Sequence, residues 1–381
     1  MAESITKIEE FTQDKWYDLE STLKAHPDSD YIFAIGGRGD GKTTAILKKI
    51  IDNYVNENNQ SIYLRRHDES LKPARRDRVW DTLIKELDYI TEATDGEYNT
   101  VVYKEGGWRL ALQTEKELII DLNIFCFPLS VSTFVTNSKS LSYPNVTILF
   151  YEEFMSRHAY LPDEVVDLLH LYSTITRGRD NCKFIFAGNT VDKYSPYFTE
   201  FNITEIRKMK PCERLVKTFE EDDEKVKIVV DYTKSVKKPS DRLFIFTDNP
   251  KVGVITGGTW EMSYYEKYKD DIKKEDIIYN FYVIYQELLL DGLIVDTEDG
   301  ETFLYIRNNY YKVIEEEDTI IYNLGPSSHT NYFISLLDKS TKITSLIARL
   351  IEKDRVYYDS EETAEAFKSY LSEGLRYNIF K

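Results

Sequence analysis

Eight consecutive residues, Gly36-Gly-Arg-Gly-Asp-Gly-Lys-Thr43, carry the clearest chemistry in the chain. They satisfy G-x-x-x-x-G-K-[ST]. In that pattern glycines let backbone N–H groups turn toward an anion, the lysine reaches the β and γ oxygens, and the hydroxyl can ligate a cation. Gly36, Gly37, Arg38, Gly39, Asp40, Gly41, Lys42, Thr43 and Thr44 are therefore assigned to a nucleoside triphosphate, with Thr43 as one ligand of Mg²⁺. Hydrolysis also needs an acidic partner at the end of a neighbouring strand. The apolar run Val146 to Tyr151, followed by Glu152 and Glu153, supplies one. Because successive strand side chains point to different places, Glu152 is assigned to the Mg²⁺ shell and Glu153 to the attacking water.

Three further residues are candidates for the same reaction. Arg177 and Arg179 flank a glycine after a predicted helix, where a guanidinium placed at a subunit boundary would stabilise a transferring phosphoryl group in trans; two surface arginines give the same pattern. Asn189 ends the apolar run Lys183 to Ala187-Gly, and its amide is placed to sense a γ-phosphate. The stretch Asn189-Thr-Val-Asp192 resembles the guanine-reading N-K-x-D but lacks its lysine, which argues against GTP and leaves ATP as the expected nucleotide.

Such residues act only if strands and helices hold them. Tyr31 to Ile35 reads as a buried strand, Gly36 to Gly41 as a loop and Thr43 to Val55 as a helix, with Ile46, Leu47, Ile50, Ile51, Tyr54 and Val55 at helical spacing. Strand-like runs follow at Ser61 to Leu64, Ile124 to Leu129, Val146 to Tyr151 and Lys183 to Ala187. Helices are predicted over Ala74 to Ile90 and Asp163 to Ile175, and a hairpin over Tyr98 to Leu112. This alternation predicts an α/β domain with a parallel sheet over residues 1–210. Past Lys210 the texture changes to mixed charge (Glu220 to Lys238) and turn residues (Asp248 to Gly258), which predicts a linker over 211–272. An α+β domain is predicted over 273–381, with strands Ile278 to Tyr285, Leu288 to Val295, Thr302 to Ile306 and Tyr311 to Ile314 before helices near Asn331 to Leu350 and Ser360 to Leu371.

Composition narrows the class. At 381 residues, several cores are expected, and the apolar runs are far too short to span a bilayer. The N-terminus lacks the pattern of a signal peptide, so a cytoplasmic protein without membrane contact is expected. Cys126, Cys182 and Cys212 form no metal or disulfide spacing and read as buried thiols. A formal charge of -17 repels nucleic acid unless basic residues are gathered locally. The densest basic stretch is Arg65, Arg66, Lys72, Arg75, Arg76 and Arg78, followed by Lys208, Lys210, Arg214 and Lys217; solvated helix faces or subunit contacts are the plain alternative.

Taken in order, these pieces resemble the genome-packaging ATPases of phi29-like podoviruses. The resemblance rests on Gly36-Gly-Arg38-Gly, Tyr63-Leu-Arg-Arg66, Pro128-Leu-Ser130-Val, Tyr143-Pro-Asn-Val146 running into Phe154, Arg177-x-Arg179, Asn189 and Ser195-Pro-Tyr-Phe198. It covers roughly residues 30 to 200 and thins beyond. It implies an ASCE, FtsK-like ATPase that moves double-stranded DNA, without sequence preference, into a preformed capsid. It further implies a ring, pentameric in the family, docked on the portal protein in the host cytoplasm, with a packaging RNA in some relatives. The trans-acting arginine of the family falls on Arg177, with Arg179 second. The family's Asp-Glu pair falls on Glu152-Glu153, where this chain has Glu for Asp. The C-terminal domain is implied to be an RNase H-like fold without its nuclease acids. Asp231 and Asp296 each end a strand-like run, so a terminase with a working nuclease is kept as an alternative. A phosphate-loop kinase acting on a small molecule and a regulatory nucleotide-binding module are the others.

Overall fold

The computed structural model describes residues 3–137, 143–156, 160–161, 163–191, 193–222, 224–235, 266–267, 271–285, 288–297, 300–309, 320–322, 333–334, 342–353 and 355–376. They fall into two compact units, one drawn from residues 1–157, 163–192 and 200–260, the other from 158–162, 193–199 and 261–381.

The first unit is built on an eleven-stranded sheet. Its strands are β1 (Glu3–Glu10), β2 (Tyr31–Gly36), β3 (Gln60–Arg65), β4 (Thr100–Lys104), β5 (Gly107–Gln113), β6 (Leu118–Ile120), β7 (Cys126–Ser130), β8 (Val146–Glu152), β9 (Lys183–Asn189), β10 (Glu213–Glu221) and β11 (Glu224–Thr233). The order is β1-β10-β11-β2-β9-β8-β3-β7-β5-β4, with β6 paired to β5. From β11 to β7 every pairing is parallel; β1, β10, β4, β5 and β6 add antiparallel flanks. The central strands β2, β8 and β9 are almost wholly buried, which explains their continuous apolar runs: a parallel strand covered on both faces has no polar side to alternate with. Phe33, Phe184 and Phe186 stack at 4.3 Å between centroids along β2 and β9. Helix α1 (Leu19–Ala25) is capped by Asp18, while α2 (Lys42–Glu57) directs Ile46, Leu47, Ile50, Ile51 and Tyr54 into the core. Helix α3 (Glu164–Thr176) follows β8.

Several expectations need correction. The sheet is mixed rather than purely parallel. The texture change at Lys210 is a turn within the sheet, because Glu213–Glu221 and Glu224–Thr233 pair as β10 and β11 beside β2; their exposed charges gather at the tip of this hairpin, while Arg214, Lys217 and Asp231 at its other end are buried. The predicted helix over Ala74 to Ile90 breaks into short turns at Pro73–Arg76, Thr82–Glu86 and Tyr89–Ala93, interrupted by Asp88 at φ 49°. Phe333–Ile334, expected in a helix, is a strand. Tyr311 to Ile314 and Asp248 to Gly258 lie outside the described residues.

In the second unit β12 (Glu266–Lys267), β13 (Ile277–Tyr285), β14 (Leu288–Asp296), β15 (Thr302–Asn308), β16 (Ile320–Tyr322), β17 (Phe333–Ile334) and β18 (Val356–Tyr358) form a sheet of order β12-β18-β15-β14-β13-β16-β17. β13, β14 and β15 are an antiparallel meander, and β16 joins β13, then β17 joins β16, in parallel. Helices α4 (Lys342–Glu352) and α5 (Glu361–Arg376) supply Ile347, Leu350, Ala364, Phe367 and Tyr370 to a core shared with Phe281, Leu290, Ile294, Leu304 and Ile306.

A buried polar knot closes the β10–β11 side. Asp231, fully buried, accepts from Arg214 Nε at 2.5 Å, Thr22 Oγ1 at 2.6 Å and Tyr17 OH at 2.9 Å. Removing one partner of such a pair strands the other charge. Asp231→Ala is therefore expected to cost about 3–5 kcal/mol, seen as an earlier thermal transition of the first unit by calorimetry. Asp296→Ala, at an exposed strand end, is expected to leave that transition in place.

Candidate nucleotide site

The loop between β2 and α2 sits at the carboxyl end of the parallel strands. Gly39 (φ 73°) and Gly41 (φ 92°) take the left-handed conformation that allows the chain to curl ahead of α2. Gly36 answers a different need: a Cβ there would lie 1.9 Å from the hydroxyl of Thr233, the last residue of β11. Lys42 is buried and donates through Nζ to the Gly37 carbonyl at 2.7 Å and to Asp40 Oδ2 at 2.6 Å. Burial lowers its ammonium below the ordinary range, and the Asp40 carboxylate opposes that shift.

The acidic pair is in reach of this loop although its strand is not adjacent. β9 lies between β2 and β8, so the acids end the next strand but one rather than a neighbouring strand. Thr43 Oγ1 nevertheless donates to Glu152 Oε1 at 2.8 Å. A hydroxyl and a carboxylate, both hard oxygen donors held together, suit Mg²⁺, which keeps several waters and takes few protein ligands. Asn189 ends the intervening strand in register with Gly36, so the structure brings its backbone beside the loop.

Two residues that the sequence reading did not assign to catalysis complete the acidic corner. Tyr63, on β3 next to β8, donates its hydroxyl to Glu152 Oε2. Arg65, at the end of β3, spans both acids, with Nη1 2.7 Å from Glu152 Oε2 and Nη2 2.5 Å from Glu153 Oε2. Burial alone would depress the Arg65 guanidinium, yet Tyr63, Glu152 and Glu153 hold it above its ordinary value. Burial, then Glu152, pushes the Tyr63 phenol up. Glu153 has φ 57° and an exposed side chain, so the strand ends in a left-handed turn that swings it away from the β8 face. The available signal was position: Arg65 ends a strand, and polar residues at the carboxyl ends of parallel strands converge.

The remaining candidates divide. Arg66 is buried, with Nε 2.7 Å from Glu164 Oε2, Nη1 3.3 Å from the Glu153 carbonyl and Nη2 2.5 Å from that of Phe154; it braces the turn that carries the acids. Arg65 and Arg66 are thus both taken up by carboxylates of the chain, and Arg214 and Lys217 are buried against Asp231 and Glu205. Lys72, Arg75, Arg78, Lys208 and Lys210 are exposed, whereas Arg76 stacks on Tyr103 at 3.4 Å. Arg177 is exposed in the left-handed cap of α3. Arg179 is held by its own chain, through bonds to the carbonyls of Pro144 (2.7 Å), Ile175 (2.9 Å), Tyr143 (3.1 Å) and Thr176 (3.1 Å), so its guanidinium braces the turn after α3. The two aspartates weighed for a nuclease lie in different sheets, Asp231 bound by Arg214. Asp192 lies outside the described residues.

Beside the loop opens a cavity of about 1030 Å³, lined among others by Trp16, Tyr17, Gly41, Thr44, Lys48 and Tyr89. The Tyr17 amide donates to the Asp40 carbonyl at 2.8 Å, fixing this wall to the loop.

Comparison with known proteins places this geometry. Residues 16–317 match the family model of the podovirus DNA encapsidation protein (Gp16). The DNA packaging protein of Bacillus phage B103 is 28% identical over 174 residues, 45% of this chain and 47% of that protein. That of Bacillus phage phi29 is 29% identical over 174 residues, 45% of this chain and 46% of that protein. The chain thus spans about half the length of the curated relatives it matches. A chain of the bacteriophage Phi-29 viral genome packaging motor assembly superposes with TM-score 0.59 at 19% identity, over 95% of this chain and 100% of that one. A chain of the Phi-28 gp11 DNA packaging motor does so with TM-score 0.54 at 16% identity, over 94% and 98%. At these identities the two superpositions establish a common fold.

The contrast between the two arginines is testable without nucleotide. Arg179→Ala is expected to lower the melting temperature of the first unit, since four carbonyls lose their shared donor, and Arg177→Ala, at an exposed cap position, to lower it less. Equal shifts for the two variants would contradict this division.

Proposed function

We propose that this chain, which belongs to the podovirus DNA encapsidation protein family, is an ATP-hydrolysing motor subunit that drives double-stranded DNA into a preformed capsid. The observation that carries the reading is the Thr43–Glu152 hydrogen bond, which joins the phosphate loop to the acidic strand end across β9. In this reading Gly37 to Gly41 and Lys42 hold the phosphates, and the cavity along Trp16, Thr44 and Tyr89 takes the base and ribose. Thr43 and Glu152 would hold Mg²⁺, which when bound neutralises charge on the phosphate oxygens. Glu153 orients water and accepts its proton as oxygen bonds to the γ phosphorus and the bridge to ADP breaks. Asn189 reports the γ-phosphate, and Arg177 of a neighbouring subunit stabilises the transferring group.

Arg65 adds a step before chemistry. While its guanidinium spans both carboxylates, Glu153 is partly neutralised and turned aside, so hydrolysis requires the Arg65–Glu153 bond to open. The separation of the phosphate-loop strand from the acidic strand by β9 supports the ASCE, FtsK-like assignment. The second unit supports an RNase H-like assignment through the strand order β15-β14-β13-β16-β17, a meander followed by two parallel strands. A nuclease there finds little support: β13 carries no carboxylate, and Asp291 of β14 is bound by Arg307 at 2.6 Å. Subunits are proposed to form a ring, five as in the family, seated on the portal protein of a procapsid in the host cytoplasm, with a packaging RNA as an accessory. Lys72, Arg75 and Arg78, with Lys208 and Lys210, are the exposed cations offered to DNA phosphates.

Steady-state ATPase activity is expected to rise with protein concentration and with duplex DNA, and to vanish in Lys42→Ala; turnover independent of both would contradict a ring motor. Glu153→Gln is expected to lower kcat by about 10² to 10⁴ with ATP affinity retained. Mixing Glu153→Gln with Arg177→Ala subunits should restore part of the activity, and no recovery would refute action in trans. Replacing Lys72, Arg75 and Arg78 together by Ala should reduce the slope of log affinity against log salt by about 0.9 per lost phosphate contact.

A further inference from the structure

The phosphate loop of this chain contains an anion of its own. Asp40 is 1% exposed, and its carboxylate takes the Lys42 ammonium at 2.6 Å and the backbone N–H of Lys42 at 3.4 Å. The Thr233 hydroxyl donates to the same oxygen that holds the ammonium, so the carboxylate is fixed from the β11 side as well. The Gly37 carbonyl completes the contacts of the ammonium. Resting on the reading of this loop as a triphosphate site, we propose that Asp40 is a built-in competitor of nucleotide phosphate: it occupies Lys42 in the empty loop and weakens the hold on ADP and ATP.

The argument is electrostatic. A lysine that grips β and γ oxygens must leave Asp40, and the carboxylate it leaves has almost no access to water. A buried charge that loses its partner is penalised, and a phosphate entering beside it adds like-charge repulsion. Both effects act against bound nucleotide. Both also favour its departure, because the lysine has a partner waiting when the phosphates leave. Charge removal with little change of shape should then tighten binding, the opposite of what loss of a phosphate-contacting residue does. Asp40→Asn keeps an oxygen for the Thr233 hydroxyl and removes the charge.

The test uses the full chain and a fluorescent ADP analogue, with ADP and ATP displacing it, for wild type, Asp40→Asn, Asp40→Ser and Lys42→Ala. Expected is a dissociation constant at least tenfold lower in Asp40→Asn and Asp40→Ser, with slower release of ADP in stopped flow and an unchanged circular dichroism spectrum. Affinity equal to wild type or weaker in whichever of the two substituted chains keeps the native spectrum would overturn the role of Asp40. No saturable binding by wild type, or undiminished binding by Lys42→Ala, would instead sink the nucleotide reading itself, so the two failures are told apart.

Discussion

A phosphate-binding loop is a place where the protein leaves backbone N–H groups turned toward a ligand, and that is tolerable only where the loop is held rigidly at both ends. Here one end is β2, buried between parallel neighbours β11 and β9, and the other is a four-turn helix anchored by its apolar face. The groups around the loop are positioned relative to that fixed point. The Thr233 side chain fills the space at Gly36, so the loop touches the strand that closes the parallel set. The Thr43 hydroxyl reaches Glu152 only because β9 is a single strand wide.

Several charged groups around the loop are paired within the chain. Lys42 is matched to Asp40, Arg65 to Glu152 and Glu153, and Arg66 to Glu164. Paired in this way Lys42, Arg65 and Arg66 can be buried or half-buried without ligand. Arg66 stands apart: its bonds to the Glu153 and Phe154 carbonyls fix the backbone after β8, and its pairing with Glu164 ties that turn to α3. The same pairing takes up Arg65 and Arg66 of the basic stretch counted in the sequence, while Lys72, Arg75 and Arg78 stay exposed.

The phosphate loop, its strand and helix, and the acidic strand end were legible in the sequence because each follows from local chemistry: glycines at turns, a helical apolar stripe, and a run of buried residues ending in acids. Less legible were pairings between segments far apart in the chain. Residues 213–233 read as a charged linker, since a hairpin with an exposed charged tip has the composition of a connector, and only the pairing of β11 with β2 and of β10 with β11 reveals them as strands. Arg65, the last residue of β3, and Arg66, the next in sequence, reach different partners, one Glu152 and Glu153 and the other Glu164. Arg177 and Arg179 diverge for a similar reason, because the left-handed turn after α3 directs one outward and folds the other over carbonyls.

The Glu152 substitution for the family's Asp gains a physical reading from these pairings. A carboxylate one methylene longer, starting from the same strand position, reaches farther from β8, and it meets Thr43 on one oxygen and Tyr63 with Arg65 on the other. Both oxygens are thus fixed from opposite sides, which limits the freedom that the longer side chain would otherwise have. Tyr63 and Arg65 come from alternate positions of β3, as side chains two apart on one face must. The pair on β3 and the Glu on β8 therefore form one unit. Shortening Glu152 to Asp would break contacts on both sides at once, which makes the three residues interdependent through direct hydrogen bonds and not through a longer path across the sheet.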